Sequence, residues 1–213
     1  MNAGHDKYDV SGKLEALYVD EARQILVNKR GIADLQTLQI AEEEGLNRAY
    51  GTLLSEVRLD TRISCDLIRH VHERVFGDLY EWAGRWRTVQ ISKPGAIWPA
   101  AQFLDESMKT FETEVLSQYA RDLLFDDEAF CSLIGEVQGE FLAVHPFREG
   151  NARTIKLVTD LMAAQTGRPV LRYDQSDEGQ ARYIRAASAA LVKKDYSPMV
   201  EIIREALRSA MAG

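Results

Sequence analysis

The stretch "HPFREGNAR", residues 145–153, decides both the fold and the chemistry of this chain. Apolar residues at helical spacing precede it, from Phe130 to Phe141, and follow it, from Ile155 to Met162. This periodicity predicts a polar loop between two central helices. The loop carries a histidine, an acid, a Gly-Asn pair and an arginine within nine positions, which indicates a binding or catalytic site.

The second half of this loop has the features of an anion site. A helix that begins at Gly150 or Asn151 leaves its first N–H groups unpaired at the positive end of the helix dipole. Gly150 permits a close backbone approach or a positive φ, and Asn151 can cap the helix or touch a phosphate oxygen. Arg153 offers a planar fork of donors, and Lys156 adds a second cation on the same helix face.

The first half of the loop supplies an acid and a base. Glu149 beside an anion site predicts a bound Mg²⁺, which prefers one or two carboxylates together with substrate phosphates. His145 can take up a proton near neutral pH. Phe147 is expected to anchor the loop in the core, and Arg148 to face solvent. These parts suit phosphoryl or nucleotidyl transfer to a hydroxyl group, although a solvated loop that merely joins two helices remains the alternative.

The rest of the chain predicts an all-α fold, a compact helical bundle with one small β-hairpin flap. Apolar spacing of three and four recurs on both sides of residues 85–98, "RWRTVQISKPGAIW", which alternate and then turn at Pro-Gly. We expect one domain over residues 1–213, with residues 1–18 as a loosely ordered extension. The last two helices are predicted at 177–194 and 198–212.

Composition narrows the class of protein. The 213 residues are 46% hydrophobic and 28% charged, which is ordinary for a globular domain. A net charge of −7 and a pI near 5.2 argue against nucleic acid as a direct partner. No apolar run is long enough for a membrane span, and the first residues lack the apolar region of a signal peptide. With Cys65 and Cys131 expected as free thiols, we predict a soluble cytoplasmic protein.

The loop resembles the signature of the Fic (filamentation induced by cAMP) family, His-x-Phe-x-Asp/Glu-Gly-Asn-Gly/Lys-Arg. The resemblance extends to "VHERVFGDLYEWAGRWRTVQISK" (71–93) and "NKRGIADLQTLQIAEEE" (28–44), and so covers the chain from about residue 20 to 205. It implies a Fic fold and an enzyme that transfers AMP from ATP, with Mg²⁺, to a Tyr, Ser or Thr hydroxyl of a target protein.

The same resemblance implies roles for individual residues. His145 would deprotonate the target hydroxyl, and Glu149 would hold Mg²⁺ between the α- and β-phosphates. Gly150, Asn151 and Ala152 would form the anion-binding turn, and Arg153 would steady the leaving pyrophosphate. The flap would align an extended target segment by strand-like pairing through Val89, Gln90, Ile91, Ser92 and Lys93.

Two positions depart from the family pattern. Ala152 stands where the family most often has Gly or Lys. The related death-on-curing kinases, which transfer the γ-phosphate, carry Lys there, so Ala152 favours AMP transfer. Lys156 replaces a second arginine, which keeps the charge and loses the bidentate fork, so weaker γ-phosphate contacts are expected.

Regulation is inferred from what the chain lacks. Many Fic proteins carry an inhibitory helix with Ser/Thr-x-x-x-Glu-Gly/Asn, but none of the Glu-Gly pairs at Glu44, Glu149 and Glu178 has Ser or Thr four residues earlier. The resemblance therefore implies a toxin restrained by a small separate antitoxin that supplies the inhibitory Glu. It also makes a DNA topoisomerase subunit a plausible target. The alternatives are a transferase with another donor, such as UTP or CDP-choline, and a nucleotide-binding regulatory module without transfer.

Other conspicuous residues are assigned structural roles. His70 and His72 point to different helix faces, so neither is predicted to bind metal. We expect Trp82 and Trp86 to pack in the core or the flap. Tyr183 is expected to pack, and contact with adenine is the alternative if its helix closes the nucleotide pocket. The acidic run Glu42-Glu43-Glu44 is expected to be a solvated helix face.

Overall fold

The computed structural model describes residues 13–56, 58–93, 96–119 and 126–212, which form seven α-helices and one short hairpin. The all-α bundle with a small flap is therefore confirmed. In chain order the helices are α1 (Leu35–Glu56), α2 (Cys65–Phe76), α3 (Leu104–Thr110), α4 (Asp127–Val144), α5 (Asn151–Gln165), α6 (Asp177–Lys193) and α7 (Ser197–Met211).

Side-chain caps set the start of four of these helices. Asp34 before α1, Ser64 before α2, Asp126 before α4 and Ser176 before α6 each accept a hydrogen bond from an N–H group of the first turn. Those N–H groups have no partner inside the helix, so the caps fix where each helix begins.

Helix α4 lies at the centre of the bundle. It packs against α5, α6 and α7, while α1 and α2 pack on each other and on α5. Most of its residues are buried, including Phe130, Ile134, Val137 and Phe141. A helix that is apolar on nearly all sides has to be enclosed by other helices. The loop after α4 therefore starts from the buried centre of the bundle.

The flap is a hairpin of two short strands. Strand β1 (Ser92–Lys93) pairs antiparallel with β2 (Ala96–Ile97), and Ser92 lies opposite Ile97. The turn residues Pro94 and Gly95 lie outside the described residues. The strands are shorter than the predicted span of 85–98, because Arg87 donates its backbone N–H to the Pro146 carbonyl rather than to a neighbouring strand.

The first described residues lie against the loop, although the segment to residue 18 was expected to be loosely ordered. The Glu15 carboxylate accepts hydrogen bonds from the Thr88 N–H and hydroxyl, and the Glu15 carbonyl accepts one from Arg148. Residues 1–12 of that segment lie outside the described residues. Cys65 and Cys131 are free thiols, as predicted.

Within these ranges the structure contains no helix of the length and apolarity that crossing a membrane requires.

Candidate active site

The active-site loop begins where α4 ends in a left-handed residue. His145 has φ 52° and ψ 59°, and its N–H donates to the Phe141 carbonyl. This conformation ends the helix and turns the chain towards α5. Pro146 follows, and a proline disfavours a helical conformation at the residue before it.

Asn151 holds the loop closed from the first position of α5. Its Oδ1 accepts the Phe147 N–H and its Nδ2 donates to the Phe147 carbonyl, both at 2.9 Å. The side chain of Asn151 was predicted to cap the helix or touch a phosphate. It closes the loop on itself, and contact with a phosphate stays a prediction. Phe147 is fully buried, as predicted, and its ring fixes the middle of the loop in the core.

His145 is held in the form that a general base requires. Its Nδ1 lies 3.3 Å from the Leu142 carbonyl, and a carbonyl can only accept, so Nδ1 carries the proton. Nε2 is then unprotonated and can accept a proton. The ring lies 4.2 Å from the Trp98 ring, and burial lowers the pKa of His145 to about 4. The imidazole is therefore neutral at pH 7.

The N-terminus of α5 presents unpaired donors beside this histidine. The backbone N–H groups of Asn151, Ala152 and Arg153 have no hydrogen-bond partner among the described residues. Gly150 precedes them with φ +79°, a conformation that side chains other than glycine rarely adopt. Unpaired donors of this kind at a helix N-terminus can bind an anion, and phosphate binding at this helix end stays a prediction.

Glu149 and Arg153 lie side by side at this helix end. The Glu149 Oε1 accepts the Gly150 N–H at 2.9 Å and lies 3.6 Å from Nη2 of Arg153. No three His, Cys, Asp or Glu side chains within the described ranges converge on one point. A metal ion here would thus take one carboxylate from the protein and its remaining ligands from phosphates and water, which matches the preference of Mg²⁺.

His145, Glu149 and the α5 N-terminus line one cavity of about 790 Å³. Gln90, Ile91, Ser92 and Lys93 of the flap also line it, so four of the five predicted docking residues face the site. Val89 does not, because its side chain is buried in the core. That the flap binds a target remains a prediction.

Lys156 lies in a neighbouring cavity. Its Nζ lies 4.3 Å from the Tyr173 ring and 4.1 Å from the Tyr183 ring, and burial lowers its pKa to about 8. The adjacent cavity that it lines meets the His145 cavity at Ala152. Phosphate binding by Lys156 stays a prediction. Tyr183 lines both cavities, and whether it contacts adenine stays open.

Arg87 ties the flap to the loop, which the sequence did not reveal. It is buried, and its guanidinium donates to the carbonyls of His145, Val89 and Pro99 at 2.7–3.0 Å. These carbonyls lie in the active-site loop and on both sides of the hairpin. Nothing local in "RWR" distinguishes the buried Arg87 from the exposed Arg85, so the sequence carried no signal for this role.

His72 supports the loop from α2. Its Nδ1 accepts the Gly84 N–H, so Nε2 carries the proton and donates to the Glu149 carbonyl at 3.1 Å. The ring stacks on Phe147 with centroids 3.8 Å apart, and burial lowers its pKa to about 3. Its structural role is as predicted. Trp82 and Trp86 also pack as predicted, on Tyr80 and Phe147 respectively.

Two expectations about charged residues were wrong. Arg148 was expected to face solvent, but it donates to the Glu15 carbonyl and the Tyr18 hydroxyl. Glu42 was expected on a solvated face, but it is buried, and its carboxylate pairs with Arg153 at 2.8 Å. The other two residues of the acidic run, Glu43 and Glu44, are exposed as expected.

A helix–loop–helix with a neutral histidine, a carboxylate and an open helix N-terminus can bind a phosphate next to a proton acceptor. Comparison with known proteins shows which family has a similar sequence. The Fic/DOC family model matches residues 62–163. Over these residues the chain matches a Fic domain, and the helical bundle with its small hairpin has the Fic fold.

Two relatives illustrate the likeness in sequence. The chain is 29% identical to protein adenylyltransferase VbhT of Bartonella schoenbuchensis over 154 residues, which are 70% of this chain and 31% of VbhT. It is 25% identical to the probable protein adenylyltransferase y4lH of Sinorhizobium fredii over 84% of this chain and 90% of y4lH. The chain therefore spans about a third of VbhT and most of y4lH.

Solved structures support the fold. The crystal structure of BepC from Bartonella tribocorum, with bound AMPPNP, superposes with a TM-score of 0.72. The match is 18% identical and covers 91% of this chain and 97% of that one. At this identity the likeness shows that the two proteins share a fold.

Proposed function

We propose that this protein transfers AMP from ATP, with Mg²⁺, to a hydroxyl side chain of a target protein. The observation that carries the proposal is the neutral His145, whose Nε2 can accept a proton, in one cavity with the unpaired N–H groups of α5 and with Glu149. The names of VbhT and y4lH and the AMPPNP bound to BepC support a nucleotide as the donor.

The residues divide the reaction between them. Nε2 of His145 takes the proton of the target hydroxyl as its oxygen bonds to the α-phosphorus. The bond from that phosphorus to the bridging oxygen breaks, and pyrophosphate leaves. The N–H groups of Asn151 and Ala152 stabilise the charge that develops on the α-phosphate, and Arg153 binds the leaving group. Glu149 would hold Mg²⁺, which neutralises phosphate charge.

The test uses the purified protein, a bacterial lysate, Mg²⁺, and ATP labelled at either the α- or the γ-phosphate. We expect a protein band labelled from the α-position only, and no such band with His145→Ala. Mg·ADP binding by His145→Ala should stay within about twofold of the wild type, because the ring contacts the hydroxyl rather than the phosphates.

Two results would contradict the proposal. Label from the γ-position alone would identify a kinase and overturn the interpretation that Ala152 favours AMP transfer. Labelling by His145→Ala at the wild-type rate would remove His145 as the base.

We also propose that a separate small protein restrains this activity. The supporting observation is the sequence, since no Glu-Gly pair in the chain has the family's inhibitory spacing. A topoisomerase subunit as the target rests on the family resemblance alone. Purification of the affinity-tagged chain from its native cell tests the first point, because a restraining protein should co-purify and abolish labelling when added back.

A further inference from the structure

Glu42 is a buried acid with two well-defined partners. It lies on α1, 111 residues before Arg153 in the chain, and its side chain is 9% exposed. One carboxylate oxygen accepts from Nη1 of Arg153 at 2.8 Å, and the other accepts from the Tyr80 hydroxyl at 2.6 Å. A buried carboxylate is tolerated when it is paired in this way.

These contacts fix the direction of the Arg153 side chain. The guanidinium lies over the Phe76 ring, 4.8 Å from its centroid, with Glu42 at Nη1. Tyr80 holds the Glu42 carboxylate in place, so the pair has little freedom. Arginine in solution samples many rotamers, and an ordered one presents its donors without further loss of side-chain entropy.

Glu42 leaves most of the Arg153 fork available. Within the described part of the chain, no hydrogen bond engages Nε or Nη2 of Arg153, and Nη2 lies 3.6 Å from Glu149. Arg153 lines the cavity with His145, and Glu42 is absent from the lining of that cavity. The carboxylate of Glu42 thus holds the arginine from behind and does not occupy the space of a ligand.

We propose that Glu42 is a positioning residue for phosphate binding, because it orients Arg153 towards the leaving phosphates of the nucleotide. This inference rests on the proposed function. In the run Glu42-Glu43-Glu44, Glu42 would then serve the site, whereas Glu43 and Glu44 are exposed. A positioned arginine supports catalysis since its donors need no reorganisation when the leaving group develops charge.

The test measures binding of Mg·ADP and of AMP by calorimetry, with no target protein. Glu42→Gln keeps the shape and removes the charge that orients Arg153. We expect Glu42→Gln to weaken Mg·ADP binding about tenfold, which corresponds to the loss of one charged hydrogen bond between Arg153 and a phosphate. AMP binding should stay within twofold of the wild type. Glu43→Gln, one residue away on the exposed side, is the matched control and should leave both affinities unchanged.

A double-mutant cycle separates positioning from a general effect on the fold. Arg153→Gln alone leaves Glu42 buried without its cation, so its melting temperature should fall. The double variant Glu42→Gln/Arg153→Gln should melt higher than Arg153→Gln alone. The double variant should also bind Mg·ADP no more weakly than Arg153→Gln alone, because Glu42 acts through Arg153.

Three outcomes would overturn the inference. In the first, Glu42→Gln binds Mg·ADP within twofold of the wild type. In the second, it weakens AMP and Mg·ADP equally, which indicates a structural role. In the third, it binds Mg·ADP more tightly, which would make Glu42 a restraint on Arg153.

The proposed function fails separately from this inference. A wild-type protein that binds Mg·ADP but transfers no AMP would refute the proposed function and leave the binding test valid. A wild-type protein that binds no Mg·ADP would overturn both.

Discussion

Gly150→Ala tests whether the geometry before α5 depends on glycine. Gly150 has φ +79°, and a Cβ there would lie 2.3 and 2.4 Å from two carbon atoms of the Phe76 ring. Carbon atoms in ordinary contact are about 3.5–4.0 Å apart, so the methyl group would intrude by more than about 1 Å. Phe76 is fully buried and lies beneath the Arg153 guanidinium.

The expected loss of stability has two parts. A residue with a Cβ in the left-handed region costs about 1–2 kcal/mol. Overpacking a closed core costs about 1–3 kcal/mol more. The free energy of unfolding should thus fall by about 2–5 kcal/mol, which lowers the melting temperature of a chain this size by on the order of 10 °C.

Gly167→Ala is the matched control. Gly167 ends α5 with a similar φ of +76°, and a Cβ there would meet no atom within 4 Å. Urea denaturation of both variants separates the backbone cost from the steric one, and Mg·ADP binding should weaken only for Gly150→Ala. Equal losses of stability in the two variants would refute the steric argument.

Three further predictions concern the loop and its supports. The activity should depend on pH through His145. Its neutral form is the proposed base and burial lowers its pKa to about 4, so kcat/KM should stay constant from pH 8 to 6 and fall towards pH 4. A midpoint near 6.5 would contradict this. The unfolded chain takes up the same proton from about pH 6.5, whereas the folded chain does so only near pH 4. The contribution of His145 to the free energy of unfolding is therefore fully present above pH 6.5, and it falls by up to about 1.4 kcal/mol per pH unit towards pH 4. Arg87→Lys loses the fork that binds three carbonyls and should lower the free energy of unfolding by about 2–4 kcal/mol, whereas Arg85→Lys, on an exposed residue, should change it by less than about 0.5 kcal/mol. Glu149→Gln should abolish the dependence of ADP binding on Mg²⁺, and an unchanged Mg²⁺ titration would exclude Glu149 as the metal ligand.

The sequence predicted the fold because its helices carry clear periodicity. The observed α6 and α7 lie within a residue or two of their predicted ranges, and Phe147 is buried as expected. The loop between α4 and α5 was also located correctly, since polar residues there interrupt two apolar helices. Local patterns are enough for such features because each depends on residues that are close in the chain.

Glu42 shows why other parts were missed. Three consecutive glutamates are typical of a solvated surface, and the pairing with Arg153 spans 111 residues. A signal was nevertheless present, because Leu38, Glu42, Gly45, Ala49 and Leu53 lie on one buried stripe at helical spacing. A charged residue within such a stripe indicates a buried partner elsewhere.

The supports of the loop come from parts of the chain far from it. Glu42 on α1 orients Arg153, His72 on α2 holds the Glu149 carbonyl, and Arg87 before the flap holds the His145 carbonyl. Each of these three supports contacts a residue of the active-site loop, residues 145–153, to which the site roles are assigned. Those nine residues therefore carry the proposed chemistry, but their geometry depends on three distant segments. It follows that the same nine residues placed between two other helices would lack this geometry, and that variants of the three supports should impair the reaction with every catalytic residue intact.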